Sequence, residues 1–420
     1  MFNTGTLDLN GTNEGIQSLF GDTGTVTNNH ATTASTLTLG TNNGSSLFGG
    51  TIVNGLSTLA LTKANAGGAV LTGVNTYTGA TNITGGFVQL GNGGITGGIA
   101  AASNVVTGAN TQLVFNRMDS FPIANAISGA GAVVQNGMSG TVSLTGATTT
   151  YSGGTIINSA TLSAGNGGTA GTFGAGNITV AAGANAQSNR SNNWTLANPI
   201  GGQGNFIQAG TCVTTATALN TYTGTTTVNA GTLEVGGTGA LTGTTQVTIN
   251  TGGTLLLTST AADRVNDAAP VTLAGGTLNT GGLNETMGAL TMTGNSIIDF
   301  GAGTSLLTSA SAAGSSWTGT LSIWNWTGIP VTGGGTDQLL LTSAAANGNI
   351  TFSNINFFSG AGTGQIGFGS AFVPNGFGGG EIVPVPEPSS VATVMGLLGL
   401  IGWRERRKAA HARQAARSAK

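Results

Sequence analysis

The amino-acid sequence predicts an all-β protein, a right-handed parallel β-helix (β-solenoid) with a single short hydrophobic helix and a basic tail at its C-terminus. Composition, repeated sequence blocks and alternating apolar runs that end at Gly or Asn predict the solenoid. Only 6% of the 420 residues are charged and 5% are aromatic, whereas 75 are Gly. Disordered chains have low hydropathy, but the mean hydropathy here is +0.19. Composition therefore favours a repetitive β fold that lengthens by adding coils.

Repeated blocks divide residues 1–310 into modules. Three blocks related to NTYTGATNITGGFVQLG align without gaps, at residues 75–91, 149–165 and 220–236. Each contains one tyrosine, and the three recur at nearly equal spacing: Tyr77, Tyr151 and Tyr222. A second block precedes each of the later two tyrosines, at residues 127–137 and 200–210. We therefore predict a solenoid over residues 1–310, with repeats near 52–91, 127–165, 200–236 and 240–300.

Within each module, short alternating runs meet at glycine-containing corners such as Asn-Ala-Gly (229–231) and Asn-Thr-Gly-Gly (250–253). Glycine supplies the positive φ angles that tight corners need, and the following Thr, Leu or Val restarts a strand. Coils of roughly 20 to 25 residues are typical of such repeats, so residues 1–310 predict on the order of 13 coils. Their backbones would pair at a spacing of about 4.8 Å, which gives a rod of roughly 60 Å.

The pattern TYTGxTxxxxGxLxxG, preceded by LTG, resembles the passenger-associated transport repeat, also called the autotransporter-associated β-strand repeat. The resemblance covers residues 50–300 in separated pieces. It implies a β-helical passenger that is secreted or exposed at a bacterial surface, where many such passengers are adhesins.

A different texture follows the repeats. Three of the five tryptophans fall within ten positions, at Trp317, Trp324 and Trp326, and Phe357 and Phe358 come after them. Because a terminal coil exposes strand edges, solenoids need a closing element, and bulky aromatics suit one. We predict a C-terminal β cap over residues 311–383.

Residues 384–420 predict a membrane-linked segment. A Pro-rich linker begins it, and residues 391–403 form an uncharged apolar run predicted as a helix. A helix of that length reaches about 20 Å, short of the roughly 30 Å of a bilayer core. The tail 404–420 holds 7 basic residues and 1 acidic residue, against 4 and 12 in residues 1–403. The first four basic residues would hold the tail on the cytoplasmic side of the membrane: Arg404, Arg406, Arg407 and Lys408.

The order Pro-Glu-Pro, apolar helix and basic cluster resembles the PEP-CTERM sorting signal. The resemblance implies that an exosortase-type transpeptidase recognises Pro386, Glu387 and Pro388, after which the chain reaches the cell surface or extracellular matrix. Its partners are then the membrane, through the C-terminal helix, and exopolysaccharide or other matrix components. Residues 1–20 lack the basic and apolar regions of an export signal, so we expect the natural start to lie upstream.

No catalytic, cofactor or metal site is predicted. With Cys212 alone, no CxxC or Cys/His zinc pattern can be assembled. His30 is near the N-terminus and His411 lies in the basic tail, so neither can be placed in a triad or metal site. A mildly acidic body with four cations cannot neutralise a run of phosphates, which excludes nucleic-acid binding.

Two charged clusters are the candidates for chemistry: Asp263, Arg264 and Asp267, and the weaker Arg117 with Asp119. Either cluster reads equally well as a solvated loop. The tyrosines could stack on sugars, although a structural corner role is favoured.

We predict a non-catalytic surface structural or adhesion protein. The alternatives are a β-helical polysaccharide-degrading enzyme and an ice-binding protein, the latter disfavoured because equivalent Thr residues, one module apart, would lie several coils apart.

Overall fold

A computed structural model of the chain describes residues 5–258, 263–310, 317–342, 352–368, 370–375 and 379–385. In these residues the chain forms a parallel β-solenoid of about 14 turns without α-helices. The all-β solenoid is therefore confirmed, and the hand of its winding stays a prediction.

The strands in the first half of the chain are β1 (Thr6–Asp8), β2 (Glu14–Ile16), β3 (Phe20–Gly21), β4 (Thr25–Asn28), β5 (Ser35–Leu39), β6 (Ser46–Phe48), β7 (Thr51–Gly55), β8 (Leu59–Lys63), β9 (Gly68–Leu71), β10 (Thr81–Ile83), β11 (Phe87–Gly94), β12 (Val105–Thr107), β13 (Gln112–Arg117), β14 (Phe121–Ile123), β15 (Ile127–Gly129), β16 (Ala132–Gln135), β17 (Thr141–Leu144), β18 (Thr155–Ile157), β19 (Thr161–Ala164), β20 (Ile178–Val180), β21 (Asn185–Ser188), β22 (Trp194–Leu196), β23 (Ile200–Gly202) and β24 (Asn205–Gln208). The later strands are β25 (Val213–Ala216), β26 (Leu219–Asn220), β27 (Thr225–Val228), β28 (Gly231–Val235), β29 (Ala240–Leu241), β30 (Gln246–Asn250), β31 (Gly253–Leu257), β32 (Val271–Ala274), β33 (Thr277–Asn279), β34 (Glu285–Met292), β35 (Ser296–Asp299), β36 (Ser305–Ala310), β37 (Leu321–Trp324), β38 (Asp337–Leu341), β39 (Ile355–Phe358), β40 (Gln365–Phe368), β41 (Ser370–Pro374) and β42 (Gly380–Pro384). Short 3-10 helices occur at Thr41–Asn43 and Phe352–Asn354.

The register between coils fixes the coil length. Leu37 pairs with Leu61, Leu61 with Thr81, and Thr81 with Val105. These four side chains are fully buried. The differences between the paired residue numbers agree with the predicted coil of roughly 20 to 25 residues. The inward positions of successive strands therefore stack into one continuous core.

The corners behave as the Asn-Gly segments predict. Gly231 and Gly252 have φ angles of +60° and +83°. A Cβ atom on Gly231 would lie 2.5 Å from two backbone carbonyl oxygens, those of Cys212 and Gly210, so no larger residue fits this corner.

The parallel ladders do not all run the length of the solenoid. One nine-stranded ladder runs from β3 to β23, a six-stranded ladder from β2 to β15, a three-stranded ladder from β1 to β7, and a two-stranded ladder joins β26 and β29. A 13-stranded ladder starts only at β14, and a second nine-stranded ladder starts only at β22. The first residues of β14 and β22, Phe121 and Trp194, are one module length apart. A new ladder therefore begins in each of these two modules.

The strands near the C-terminus change direction. β37, β38 and β39 continue the parallel ladders, but β42 pairs antiparallel with β38, β41 antiparallel with β42, and β40 antiparallel with β39. Trp326 and Phe357 pack edge to face under these strands, with ring centroids 5.1 Å apart. The limits 311–383 for a cap stay a prediction.

The predicted apolar helix 391–403 and basic tail 404–420 lie outside the described residues. Within the described ranges, no helix has the length and apolar character needed to cross a bilayer.

Core packing predicts a sharp contrast between neighbouring residues. Leu61→Ala should lower the free energy of unfolding by about 2 to 5 kcal/mol, because it leaves a cavity between stacked coils. The matched control Thr62→Ala changes an outward-facing, half-buried residue of the same strand and should cost less than about 1 kcal/mol. Urea denaturation monitored by circular dichroism checks both values, and equal losses would contradict the assignment of the inward face.

Candidate functional site

The repeated tyrosines are structural. Each lies at the corner before a strand with 0% of its surface exposed: Tyr77, Tyr151 and Tyr222. Each hydroxyl hydrogen-bonds the threonine four positions later, at 2.7, 2.7 and 2.6 Å: Thr81, Thr155 and Thr226. Burial raises the pKa of each phenol above its ordinary value. The corner role is therefore confirmed, and stacking of these rings on sugars is wrong because no face reaches solvent.

The tyrosine bonds continue into the next coil. Thr81 hydrogen-bonds Ser103 at 2.9 Å, and the Ser103 hydroxyl donates to the carbonyl oxygen of Gly79 at 2.8 Å. The Thr155 hydroxyl donates to the carbonyl oxygen of Phe173 at 2.9 Å. Each of these threonine hydroxyls thus forms a buried hydrogen bond to a residue of the following coil. These bonds satisfy hydroxyl groups that would otherwise be costly to bury.

The cluster Asp263, Arg264 and Asp267 does not converge on a cleft. Arg264 is 4% exposed, and its guanidinium donates to the carbonyl oxygens of Gly239 and Gly237 at 2.5 and 2.9 Å. One Asp263 oxygen accepts a hydrogen bond from the Thr286 amide at 3.3 Å. The arginine is therefore engaged in holding the backbone of the preceding coil.

Glu285 is the acid that the sequence did not point to. Its side chain is 2% exposed, and its two oxygens accept hydrogen bonds from the amides of Arg264 and Val265, each at 2.8 Å. Burial raises the pKa of this carboxyl to about 7, although the hydrogen bonds from the two amides lower it. The nearby carboxylates of Asp263 and Asp267 add to the rise. Its separation from Arg264, one coil length along the chain, is the signal that could have found it.

Arg264 is one of three equivalent arginines that recur once per module: Arg117, Arg190 and Arg264. Each donates to two carbonyl oxygens of the glycine-rich loop in the preceding coil. Arg117 reaches the carbonyls of Gly97 and Ile95 at 2.7 and 2.6 Å, and Arg190 those of Gly171 and Thr169 at 2.8 and 2.6 Å. We call these three residues the arginine clamps.

Arg117 and Asp119, the second candidate cluster, form an ion pair with 2.5 Å between Nη2 and Oδ2. The hydrogen bond from Arg117 holds the pKa of Asp119 below its ordinary value. Since Arg117 is also a clamp, this pair supports the loop.

The other candidate residues form no site in the described ranges. His30 accepts a hydrogen bond from the amide of Thr33 on Nδ1 at 3.0 Å, which closes a turn. Cys212 is a buried free thiol. Across the described part of the chain, no three His, Cys, Asp or Glu side chains are placed to hold a metal ion. His411 and the predicted sorting residues Pro386, Glu387, Pro388, Arg404, Arg406, Arg407 and Lys408 lie outside the described residues.

An aromatic ring stands four positions after each of the first two clamps. The Arg117 guanidinium lies 4.1 Å from the ring centroid of Phe121, and that of Arg190 lies 5.3 Å from the ring centroid of Trp194. These rings are the first residues of β14 and β22, where new ladders open.

A groove lies beside Trp194, between two successive coils. We call it the Trp194 groove, and its wall includes Thr172, Gly174, Ala175, Trp194, Thr195 and Asn198. A second groove at the same corner is lined by polar side chains that include Ser152, Thr155, Asn177 and Thr179.

Threonines stack more closely than their sequence spacing indicated. Thr227, Thr248, Thr272 and Thr291 are paired in four successive strands with half-buried, outward-facing side chains. The neighbouring outward position of this face changes from Thr225 to Gln246. The row is thus one column of Thr residues that are not equivalent positions of successive modules, so the module spacing gave no indication of it.

The pKa of Glu285 predicts how stability changes with pH. A carboxyl whose pKa is about 7 when folded and 4.5 when unfolded contributes stability that is complete below pH 4.5 and is lost as pH rises to 7. The loss should be on the order of 3 kcal/mol. Unfolding midpoints at pH 4.5 and 7 measure it, and Glu285→Gln should flatten the difference.

Because burial also raises the pKa of Glu381, the comparison of wild type with Glu285→Gln isolates the Glu285 contribution. An identical pH dependence in the two proteins would contradict the assignment.

Comparisons with known proteins agree with the repeat architecture. The family model described as passenger-associated-transport-repeat matches residues 61–90, 139–164 and 215–235. The chain is similar to the adhesin BmaC autotransporter of Brucella suis biovar 1, with 41% identity over 115 residues, which are 27% of this chain and 3% of that adhesin. No solved structure matches. Three segments of the chain therefore match the repeat model, and the chain spans a small fraction of the length of the curated relative that it matches.

Proposed function

We propose that this chain is a non-catalytic structural or adhesion solenoid, displayed at the bacterial surface or secreted. The observation that carries the proposal is the stack of parallel coils in the described residues, three segments of which match the passenger-associated-transport-repeat model. Stacked coils give a long, stiff body with a large outer surface, which suits a protein that spans distance or makes contacts along its length. The Brucella relative is named an adhesin, which supports the same class.

The charged side chains weigh against a polysaccharide-degrading enzyme. Glycoside hydrolysis requires two carboxyl groups that flank a substrate. In the described residues Arg264 and Glu285 hold backbone groups, and Asp119 pairs with Arg117. These contacts give each of the three side chains a structural role that requires no substrate.

We further propose that an exosortase-type transpeptidase sorts the chain through Pro386, Glu387 and Pro388. The C-terminal helix 391–403 would hold the precursor in the membrane with its basic tail on the cytoplasmic side. The support for this step is the order of the three sequence elements after residue 384.

Sorting is tested in the organism that encodes the chain, with the exosortase gene present or deleted. Replacement of Pro386, Glu387 and Pro388 by Ala should abolish surface exposure, which protease treatment of intact cells measures. Mass spectrometry of the wild-type protein should find a C-terminus that ends before residue 391. The single change Pro384→Ala, just outside the motif, is the control and should leave sorting unchanged.

A cytosolic protein that retains Lys420 in the presence of the exosortase would contradict the sorting proposal. Hydrolysis of a polysaccharide by the purified chain, lost in Asp263→Ala, would contradict the non-catalytic assignment.

A further inference from the structure

The Trp194 groove occurs where a ladder begins. In the described residues, β22 pairs only with β25 of the following coil, and the preceding coil has no strand in this ladder. Thr172, Gly174 and Ala175 of that coil instead form the opposite wall of the groove. The edge of β22 therefore faces the groove.

The backbone amide and carbonyl groups of Thr195 face the groove at this edge. The carbonyl oxygen of Leu196 accepts a hydrogen bond from Thr217, which fixes the direction of Leu196 toward the following coil. Because successive residues of a strand direct their amide and carbonyl groups to opposite sides, those of Thr195 face the groove. The Thr195 side chain is also exposed. One residue thus offers the groove a backbone donor, a backbone acceptor and a hydroxyl.

Trp194 is a rigid, partly exposed platform at this edge. Its indole Nε1 donates to the hydroxyl oxygens of Ser188 and Thr214, both at 3.1 Å, and the guanidinium of Arg190 lies over its ring. Because these hydrogen bonds hold the indole ring in place, Trp194 would lose little conformational entropy when a ligand binds. Arg190 is itself committed to the carbonyl oxygens of Gly171 and Thr169.

The polar groups beside the platform are neutral. Thr172 and Asn198 line the groove with Thr195, and no side chain of its lining carries a charge. The Asn198 amide nitrogen donates to the carbonyl oxygens of Gly174 and Gly176, at 3.2 and 2.6 Å, which fixes the side chain in place. An indole ring in the groove wall, bordered by hydroxyl and amide groups, is complementary to a sugar ring, which has apolar C–H faces and hydroxyl groups at its rim.

The second groove extends this surface along the corner. Residues 152–154, 174–177 and 197–199 precede three strands that are neighbours in one ladder: β18, β20 and β23. The segments therefore stack in consecutive coils at a spacing of about 4.8 Å. A linear polymer could follow this corner across more than one coil.

We propose that the Trp194 groove binds a neutral sugar unit of a polysaccharide, with Trp194 as the stacking platform and Thr195 as the hydrogen-bonding edge. The proposal deepens the adhesion function and rests on it for its biological setting. A peptide that adds a strand is the competing occupant, but β22 is a short strand, Trp194–Leu196, and offers one outward-directed amide and carbonyl pair.

The binding test uses the full chain in affinity electrophoresis through gels that contain laminarin or dextran, two neutral glucans, or polygalacturonate, an anionic polymer. We expect retardation by at least one neutral glucan and none by polygalacturonate. Thr195→Arg places a long charged side chain in the groove from an exposed position and should weaken binding at least about tenfold. Trp194→Phe should weaken it by a smaller factor, because a smaller ring remains.

The matched control is Pro122→Arg. Pro122 is the exposed middle residue of β14, the position equivalent to Thr195 one module earlier. This variant should bind as wild type does. Thermal unfolding of each variant reports whether the fold survives, and Phe121, at the position equivalent to Trp194, indicates that Phe suits the site.

Three outcomes would overturn the sugar site: no retardation by either glucan, binding to polygalacturonate alone, or glucan binding that Thr195→Arg leaves intact. Binding of an alternating Thr-Val hexapeptide in place of both glucans would identify a strand-pairing edge and would also overturn it. Protease treatment of intact cells that express Thr195→Arg separates the two proposals, because surface exposure should persist when glucan binding is lost.

Discussion

Backbone pairing between successive coils is the constraint on which the structure depends. Each coil must bring its amide and carbonyl groups opposite those of the next coil. In one ladder this is achieved because each residue pairs with the residue one coil further along the chain, through Leu37, Leu61, Thr81 and Val105. With so few charged and aromatic residues, the chain draws its cohesion from these ladders and from the stacked aliphatic side chains between them. Among the buried polar side chains, Arg190 and Arg264 donate hydrogen bonds to loops between strands.

The arginine clamps and the corner tyrosines both form hydrogen bonds where the chain leaves its strands. A glycine-rich loop leaves backbone carbonyl groups without strand partners, and a guanidinium can satisfy two of them at once. A tyrosine fills the volume of a corner and passes its hydrogen bond to a threonine hydroxyl. Both devices recur once per module, which explains why residues that look like chemistry in the sequence, such as Arg264, form part of the scaffold.

The sequence predicted the features that depend on local pattern. Coil length, glycine corners such as Gly231, and a structural role for Tyr151 follow from alternation, positive φ and repetition. Features that depend on the register between coils were missed. Glu285 meets Arg264 because they are one coil apart, and the column from Thr227 to Thr291 forms because coils of unequal length bring unrelated threonines together. The Trp194 groove was missed for another reason, since the start of a ladder four residues after Arg190 follows from the pairing between coils and not from local alternation.

The reversed strands near the C-terminus have a consequence for self-assembly. On one face the last strand, β41, circulates in the same sense as the coils, because two reversals precede it, whereas on the other face β40 circulates in the opposite sense. An incoming coil winds in a single sense, so it could not dock on both faces with parallel hydrogen bonds. In the described residues, the opposite senses of β40 and β41 thus disfavour head-to-tail stacking of one solenoid on another through these two strands.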